Sequence, residues 1–507
     1  MATILALSSL LFQSVSAAKD VIAVPETTAA STGSLYSSFV SLSIELSSFP
    51  LYAGNKSSPN VYSSNLLQNI ADAQGGDLPV IRVGGNSQDR AIYDSSLTVP
   101  TATSCAADPE AILCIGNSLF DSYGAFPNGT KYSHGFNLAA NNASGYETLT
   151  ATVPLACQAL QDGLLEVWEL GNEPDLYRGK WRPSDWTEAE YTTEWLNGTD
   201  RIRTLLQQSC PELASQLAFM APSLSSPGSA LKLSNIFAAG LDKENTVKQI
   251  SVHNYMSGAT SPGVTLQSTL MNHTAVVQSI TKHVQNAQSV ASVPADYILG
   301  EHNSLYGGGA AGLSNTFGAA LWVLEFSAYA ASTGVIKRLH FHQSQGAAYS
   351  AWTPVGSPAT NPPYYGKLAA ATFLGASSNV QVKEVSLPAG SDSDLDSAYA
   401  AYVDGNLTRL AVLNLRQYDS TSGGARPSQN YTIQVPTGSS WTVKRLTAAG
   451  SDVTTGVTFN GFAYEYESLG QAVRVNGTTS DEKVTADENG TVTITVRDSE
   501  AVIATIS

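Results

Sequence analysis

Eight runs of apolar or alternating residues recur along the first three-quarters of the chain. They are SFVSLSIEL (38–46), LPVIRVGG (78–85), HGFNLAANN (134–142), LLEVWELGN (164–172), LAFMAPSL (217–224), VKQISVHNY (247–255), DYILGEHN (296–303) and IKRLHFHQS (336–344). Helical stretches lie between them. In 187–209, Thr187 and Glu190 have the spacing of a capping box. The stretch 313–333 is apolar nearly all round, which predicts a buried helix. Strand–helix–strand alternation predicts a parallel sheet, and eight runs predict a closed (β/α)8 TIM barrel. An open doubly wound sheet competes, but no Gly-rich phosphate loop follows the first run.

After about residue 376 the pattern changes. AYAAYVDGNLTRLAVLNL, NYTIQVPTGSSWTVKRL and GTVTITVRDSEAVIATI are β-rich, with turns at Asp404–Gly405 and Asn489–Gly490. These predict a C-terminal antiparallel β-sandwich. The expected organisation is a signal peptide at 1–18, a catalytic barrel at 25–375 and a sandwich at 376–507. Residues from about 19 to 32 are expected to add a strand to the sandwich.

Two glutamates stand just past strand-like runs, Glu173 in LLEVWELGNEPDLY and Glu301 in ADYILGEHNSLYGGG. Carboxylates at the C-terminal ends of two barrel strands can meet across one bond. Glycosidic cleavage needs such a pair. Gly171 and Pro174 bracket Glu173 in a turn, and a carboxyl beside Trp168 is expected to resist ionisation. That suits a general acid. Glu301 is expected to stay ionised as a nucleophile, held by hydroxyl or amide donors. The glycines after Tyr306 offer successive backbone N–H groups, an anion nest. The competing readings are a loop carboxylate that caps a helix and a Gly-rich surface loop.

Charge narrows the partners. Lys plus Arg number 26 and Asp plus Glu 42, a net charge of −16 with 13% charged residues. That argues against nucleic acid and anionic membrane surfaces, and it disfavours a long polyanion. ILALSSLLF followed by SVSAA reads as a secretory signal, although no cation precedes the apolar run. Sequons at Asn55, Asn128, Asn142, Asn197, Asn272, Asn406, Asn430, Asn476 and Asn489 suit a secreted glycoprotein. Cys105, Cys114, Cys157 and Cys210 allow three pairings. Cys105–Cys114 would close a short loop and leave Cys157–Cys210 to tie two helical segments; buried free thiols are the alternative. No CxxC or Cys/His cluster points to zinc.

WELGNEP, GE followed by YGGG, and VIRVGG together resemble glycoside hydrolase family 79, the β-glucuronidases and heparanase, within the retaining clan A. The resemblance spans roughly 25–507. It implies that Glu173 is the acid/base and Glu301 the nucleophile, and that Asn172 contacts the sugar 2-hydroxyl. Tyr306, Gly307 and Gly308 match the segment that receives the glucuronate carboxylate. Glu45 matches an acidic residue that binds sugar hydroxyls, and Asn86 occupies a polar site position. His253 and Tyr255 match positions near the nucleophile and the carboxylate. Gln343 and Tyr349, after the eighth run, complete the set, whereas His340 and His342 read as ordinary buried polar groups. His302 stands where relatives often carry a small hydroxyl residue, and an altered pH profile is expected from it. The segment 176–186 is a candidate for the leaving-group side.

The expected activity is that of a secreted retaining exo-β-glucuronidase acting on terminal glucuronate or 4-O-methylglucuronate, with no metal or organic cofactor. The scarcity of basic clusters favours a neutral glycan or small aglycone over heparan. The alternatives are an endo-acting heparanase or hyaluronidase, a clan A enzyme for neutral sugars, and an inactive carbohydrate-binding wall protein.

Overall fold

The computed structural model describes residues 21–28, 35–105, 111, 113–375, 379–388 and 390–507. The expected signal peptide lies outside the described residues. Eight parallel strands form the barrel: β1 (Val40–Glu45), β2 (Ile81–Gly84), β3 (Tyr132–Phe136), β4 (Leu165–Leu170), β5 (Phe219–Leu224), β6 (Val247–Val252), β7 (Asp296–Tyr306) and β8 (Ile336–Gln343). Each pairs with the next, and β8 pairs with β1, so the sheet closes. The third run is shorter than its pattern implied. β3 stops at Phe136, and Asn142 accepts a bond from the Gly145 N–H as the cap of helix α2 below.

The longer helices that pack outside are α1 (Val61–Ala73), α2 (Ala143–Leu160), α3 (Glu188–Ser209), α4 (Leu233–Ala238), α5 (His273–Gln288), α6 (Phe317–Ser332) and α7 (Pro362–Leu374). Thr187 and Glu190 form a complete capping box at the start of α3. Strand residues mostly alternate between the two faces. Leu42, Ile44, Ile81, Val83, Trp168, Ile250, Val252, Leu339 and Phe341 face the helices in the main core. Met220, Val167 and Ile298 fill the barrel interior. Higher up, the interior is polar.

β9 (Val380–Glu384), β10 (Asp396–Val403), β11 (Asn406–Asn414), β12 (Ser428–Gln434), β13 (Ser440–Thr447), β14 (Thr491–Arg497) and β15 (Glu500–Ile506) build the antiparallel C-terminal domain. Asp404 and Gly405, both at positive φ, make the two-residue β10–β11 turn. The turn at Asn489–Gly490 is different: the strand before it pairs with β13 and the strand after it with β12. Val21–Ile22 pairs in parallel with β12 at Thr432 and Ile433. The larger sheet is apolar on both faces. Ala398, Ala400, Leu410, Val412, Val502 and Ala504 face the smaller sheet, while Tyr399, Ala401, Ala411, Leu413, Ala501 and Ile503 join the barrel's core. The domain also caps the barrel: the N–H groups of Phe317 and Gly318, opening α6, donate to the carbonyls of Val453 and Ser451 at 2.9 and 2.8 Å.

Two disulfides are present, Cys105–Cys114 and Cys157–Cys210, the second joining α2 to the end of α3. Among the described residues no helix is long and apolar enough to cross a membrane.

Candidate active site

A cavity of about 860 Å³ opens at the C-terminal ends of the strands, where (β/α)8 enzymes place their chemistry. Glu45, Asn86, Glu173, Tyr255, Glu301, Tyr306, Gly307, Gly308 and Tyr349 line it. Asn172 and His253 are buried just behind.

A β-bulge aims Glu301. On β8, Leu339 and Phe341 are two residues apart, but their partners Leu299 and His302 on β7 are three apart. The extra residue reverses the alternation. Gly300 and Glu301 therefore both face inward. A Cβ on Gly300 would lie 2.1 Å from the Ser251 hydroxyl, so only glycine fits there. Glu173 is aimed by backbone in the left-handed region, φ 51 and ψ 53, a conformation a non-glycine residue holds at a cost of order 1 kcal/mol.

Arg82 ties the site together. Nε and Nη2 donate to the two oxygens of Glu169 at 2.8 and 2.9 Å. Nη1 donates to Glu301 Oε2 at 2.7 Å and Ser43 Oγ at 3.0 Å, and Nη2 also donates to Asn172 Oδ1 at 2.7 Å. All five guanidinium N–H groups are thereby used. The Tyr255 hydroxyl donates to the other Glu301 oxygen at 2.8 Å. His342 Nδ1 lies 2.9 Å from Ser43 Oγ and 3.6 Å from Glu301 Oε2, and its Nε2 lies 3.2 Å from Glu45. His253 Nδ1 is 2.9 Å from Glu173 Oε1. Asn172 Nδ2 reaches Asn86 only at 3.4 Å, so it keeps capacity for a ligand.

These surroundings drive the two carboxyls apart. Burial, then the charges of Glu301 and Asp175, raise Glu173 well above the ordinary carboxylate range. Burial alone would also raise Glu301. His342, His253 and Arg82 outweigh it, with the Tyr255 hydrogen bond, and hold Glu301 far below its ordinary value. Burial lowers His253 to about 4, so when His253 is neutral the effect is carried by His342, itself raised by Glu301 and Glu45, and by the permanently charged Arg82. Glu173, His253 and Glu301 each bring one donor atom within 4.8 Å of the others. A cation there would compete with Arg82 and Tyr255 for Glu301.

Some sequence expectations change. Gln343 does not line the cavity: it continues the outward set Leu339–Phe341, is fully buried, and accepts from the Ala351 N–H at 2.7 Å. Trp168 faces outward against Phe136, so it gives Glu173 no apolar contact. His302, past the bulge, sits among Phe326 and Phe341 with both ring nitrogens unpartnered, and burial holds it neutral, so it does not reach the Glu301 carboxylate. Arg82, Glu169 and His342 are site residues that sequence reading missed. Their signal is a charged or polar side chain on the inward parity between apolar neighbours, as Arg82 lies between Ile81 and Val83.

Residues 398–503 match the glycosyl hydrolase family 79 C-terminal β domain. The chain is 44% identical to a β-glucuronidase of Aspergillus niger over 92% of this chain and 90% of that one. It is 43% identical to a β-glucuronidase of Neurospora crassa over 90% of each. The crystal structure of a 4-O-α-L-rhamnosyl-β-D-glucuronidase from Fusarium oxysporum superposes with a TM-score of 0.78 at 26% identity, covering 96% of this chain and all of that one. With barrel, paired glutamates and C-terminal domain in agreement, this chain belongs to glycoside hydrolase family 79.

Proposed function

We propose that this chain is a retaining exo-β-glucuronidase that releases terminal β-D-glucuronate, with Glu301 as nucleophile and Glu173 as acid/base. The observation that carries the reading is the pair of carboxyls, with donor atoms within 4.8 Å and opposite ionisation tendencies. That spacing supports retention, which needs carboxyls about 5–5.5 Å apart, over inversion at about 6.5–9.5 Å.

Glu301 attacks the anomeric carbon as its bond to the glycosidic oxygen breaks, and the Glu173 proton passes to the leaving oxygen. A glucuronyl ester forms. Glu173 then takes a proton from water, whose oxygen attacks the anomeric carbon and frees Glu301. Asn172 and Glu45 hold ring hydroxyls, with Asn86 beside Asn172. Tyr255, Tyr306 and Tyr349 form an aromatic wall, with ring centroids 6.4 and 6.2 Å from Tyr255. Gly307 and Gly308, at φ 82 and 87, add backbone amides. This wall receives the glucuronate carboxylate without a basic field. His253, held on Glu173, keeps the acid oriented. The exo mode is supported by the 344–349 loop, which lines one end of the cavity and is pinned by the Ala348 N–H to the Gly308 carbonyl at 2.7 Å.

The two disulfides and the exposed sequons Asn128, Asn142, Asn197, Asn406, Asn430, Asn476 and Asn489 support an oxidising, secretory destination.

The test is nitrophenol release from p-nitrophenyl β-D-glucuronide at mildly acidic pH, beside the glucoside and a Glu301→Gln variant, with the first-formed anomer read by NMR. Turnover of the glucuronide with retained configuration, lost in the variant, is expected. Faster glucoside turnover, or an inverted anomer, would reject the proposal. Shortening of heparan chains without glucuronate release would favour the endo reading.

A further inference from the structure

We infer that the cavity wall carrying Glu173 is a subsite for a leaving group that bears an anionic oxyacid, carboxylate or sulfate, held by Arg90 and Lys180. The inference rests on the glucuronidase reading and revises the expectation of a neutral leaving group.

The wall is one continuous piece of backbone. The Leu176 N–H donates to the Glu173 carbonyl at 2.9 Å, and the Lys180 N–H to the Tyr177 carbonyl at 3.0 Å. Arg90 joins it through Asp89, whose carboxylate accepts from the Tyr177 hydroxyl and, at 2.7 Å, from the Asn172 N–H. Leu176, Lys180 and Arg90 all line the cavity. Glu173 must protonate the leaving oxygen, so the leaving group lies against the wall from which Glu173 projects. The glucuronate carboxylate lies toward the opposite wall, that of Tyr255 and Tyr306.

Two cations stand on this wall. The chain has 42 acidic and 26 basic residues, and neighbouring arginines are neutralised: Arg178 by Glu188 and Arg182 by Glu194. Arg90 and Lys180 are exposed, and among the described residues neither has an acidic partner. Lys180 lies 4.1 Å above the Trp181 ring, which holds its charge in place without cancelling it. Leu176, which lines the same cavity, is 53% exposed and offers apolar surface to the body of the leaving group. Two uncancelled cations lining the cavity fit an anionic leaving group better than a neutral one.

The test compares kcat/KM for p-nitrophenyl β-glucuronide with that for 4-carboxyphenyl and 4-sulfooxyphenyl β-glucuronides. It is run on the wild type, on the Arg90→Gln/Lys180→Gln double variant, and on the charge-keeping Arg90→Lys/Lys180→Arg pair. Only the change in the anionic-to-neutral ratio is read, so intrinsic leaving-group differences cancel. The double variant is expected to lower that ratio roughly threefold to tenfold, the scale of two partly exposed ion pairs, and the charge-keeping pair to preserve it. A drop confined to one anionic substrate identifies carboxylate or sulfate as the group held. A ratio that does not move, or that falls equally in the charge-keeping pair, overturns the subsite. Absence of turnover on the neutral glucuronide overturns the glucuronidase reading itself, a result distinct from an unmoved ratio.

Discussion

Glu173 and Glu301 share a cavity and a residue type, and their neighbours alone set them to opposite protonation states. In the proposed mechanism activity requires Glu173 protonated and Glu301 ionised. Because Glu173 is raised, the enzyme keeps its acid at pH values where an ordinary glutamate has lost its proton, and activity falls as pH rises through the Glu173 value. Because Glu301 is depressed, the acid limb lies well below the ordinary carboxylate range. Arg82→Lys keeps a charge but loses the fork that orients Glu301 and Asn172. A fall in kcat/KM of roughly 100-fold is expected, with an acid limb shifted upward; a pH–rate profile of both proteins checks it. The two glutamates were legible from their motifs. Arg82 was not, because its importance lies in neighbours 87, 90 and 219 residues away along the chain. His342 and Gln343 are adjacent polar residues on one strand, and only the pairing of β8 with its neighbours decides which enters the cavity.

At the scale of single elements, strand, turn and cap signals were readable because they are local. The capping box of α3 needs only four consecutive residues. The bulge on β7 needs the register of a partner strand, so no periodicity reveals it, and the place of His302 in the chain, next to Glu301, does not show that its ring lies in the outer core. Its fit makes a sharp prediction. Gly300→Ala places a methyl against Ser251 Oγ and should cost about 1–3 kcal/mol in transition-state stabilisation, a drop of roughly fivefold to 150-fold in kcat. Adding Ser251→Ala removes that oxygen and leaves the Ser251 Cβ at 3.2 Å, so the double variant should recover most of the loss in steady-state kinetics. Failure to recover would mean that the methyl disturbs the site through a contact other than the Ser251 hydroxyl.

Across the whole molecule, the barrel and the sandwich share one core through the two-faced larger sheet. Alternation announced a sandwich but not the barrel-facing side, since a strand apolar on both faces shows little alternation at all. A polar clasp reinforces the junction. Glu325 of α6, fully buried, accepts from Tyr399 and Ser397 of β10 at 2.6 and 2.5 Å and lies 2.6 Å from His273 of α5. His273 also meets Glu384 of β9 at 3.0 Å. Burial opposes its charge, but Glu325 and Glu384 prevail and raise His273 from 6.5 to about 10. A raised folded-state value means that this stabilisation is complete below about pH 6.5, declines above it, and is gone once pH passes about 10. The gap in urea midpoint between the wild type and His273→Ala should therefore be widest in acid and close in alkali.

β15, the last strand among the described residues, lies in the middle of the larger sheet, hydrogen-bonded to β11 on one side and β13 on the other. That sheet covers α6 and α7, two helices buried nearly all round. A ribosome making this protein emits β7 and β8 long before the strand that completes the cover over their helices. The barrel thus waits for its cover on a strand made about 160 residues after β8, and deleting Glu500–Ile506 would leave every candidate active-site residue present while opening the sheet that shields α6 and α7.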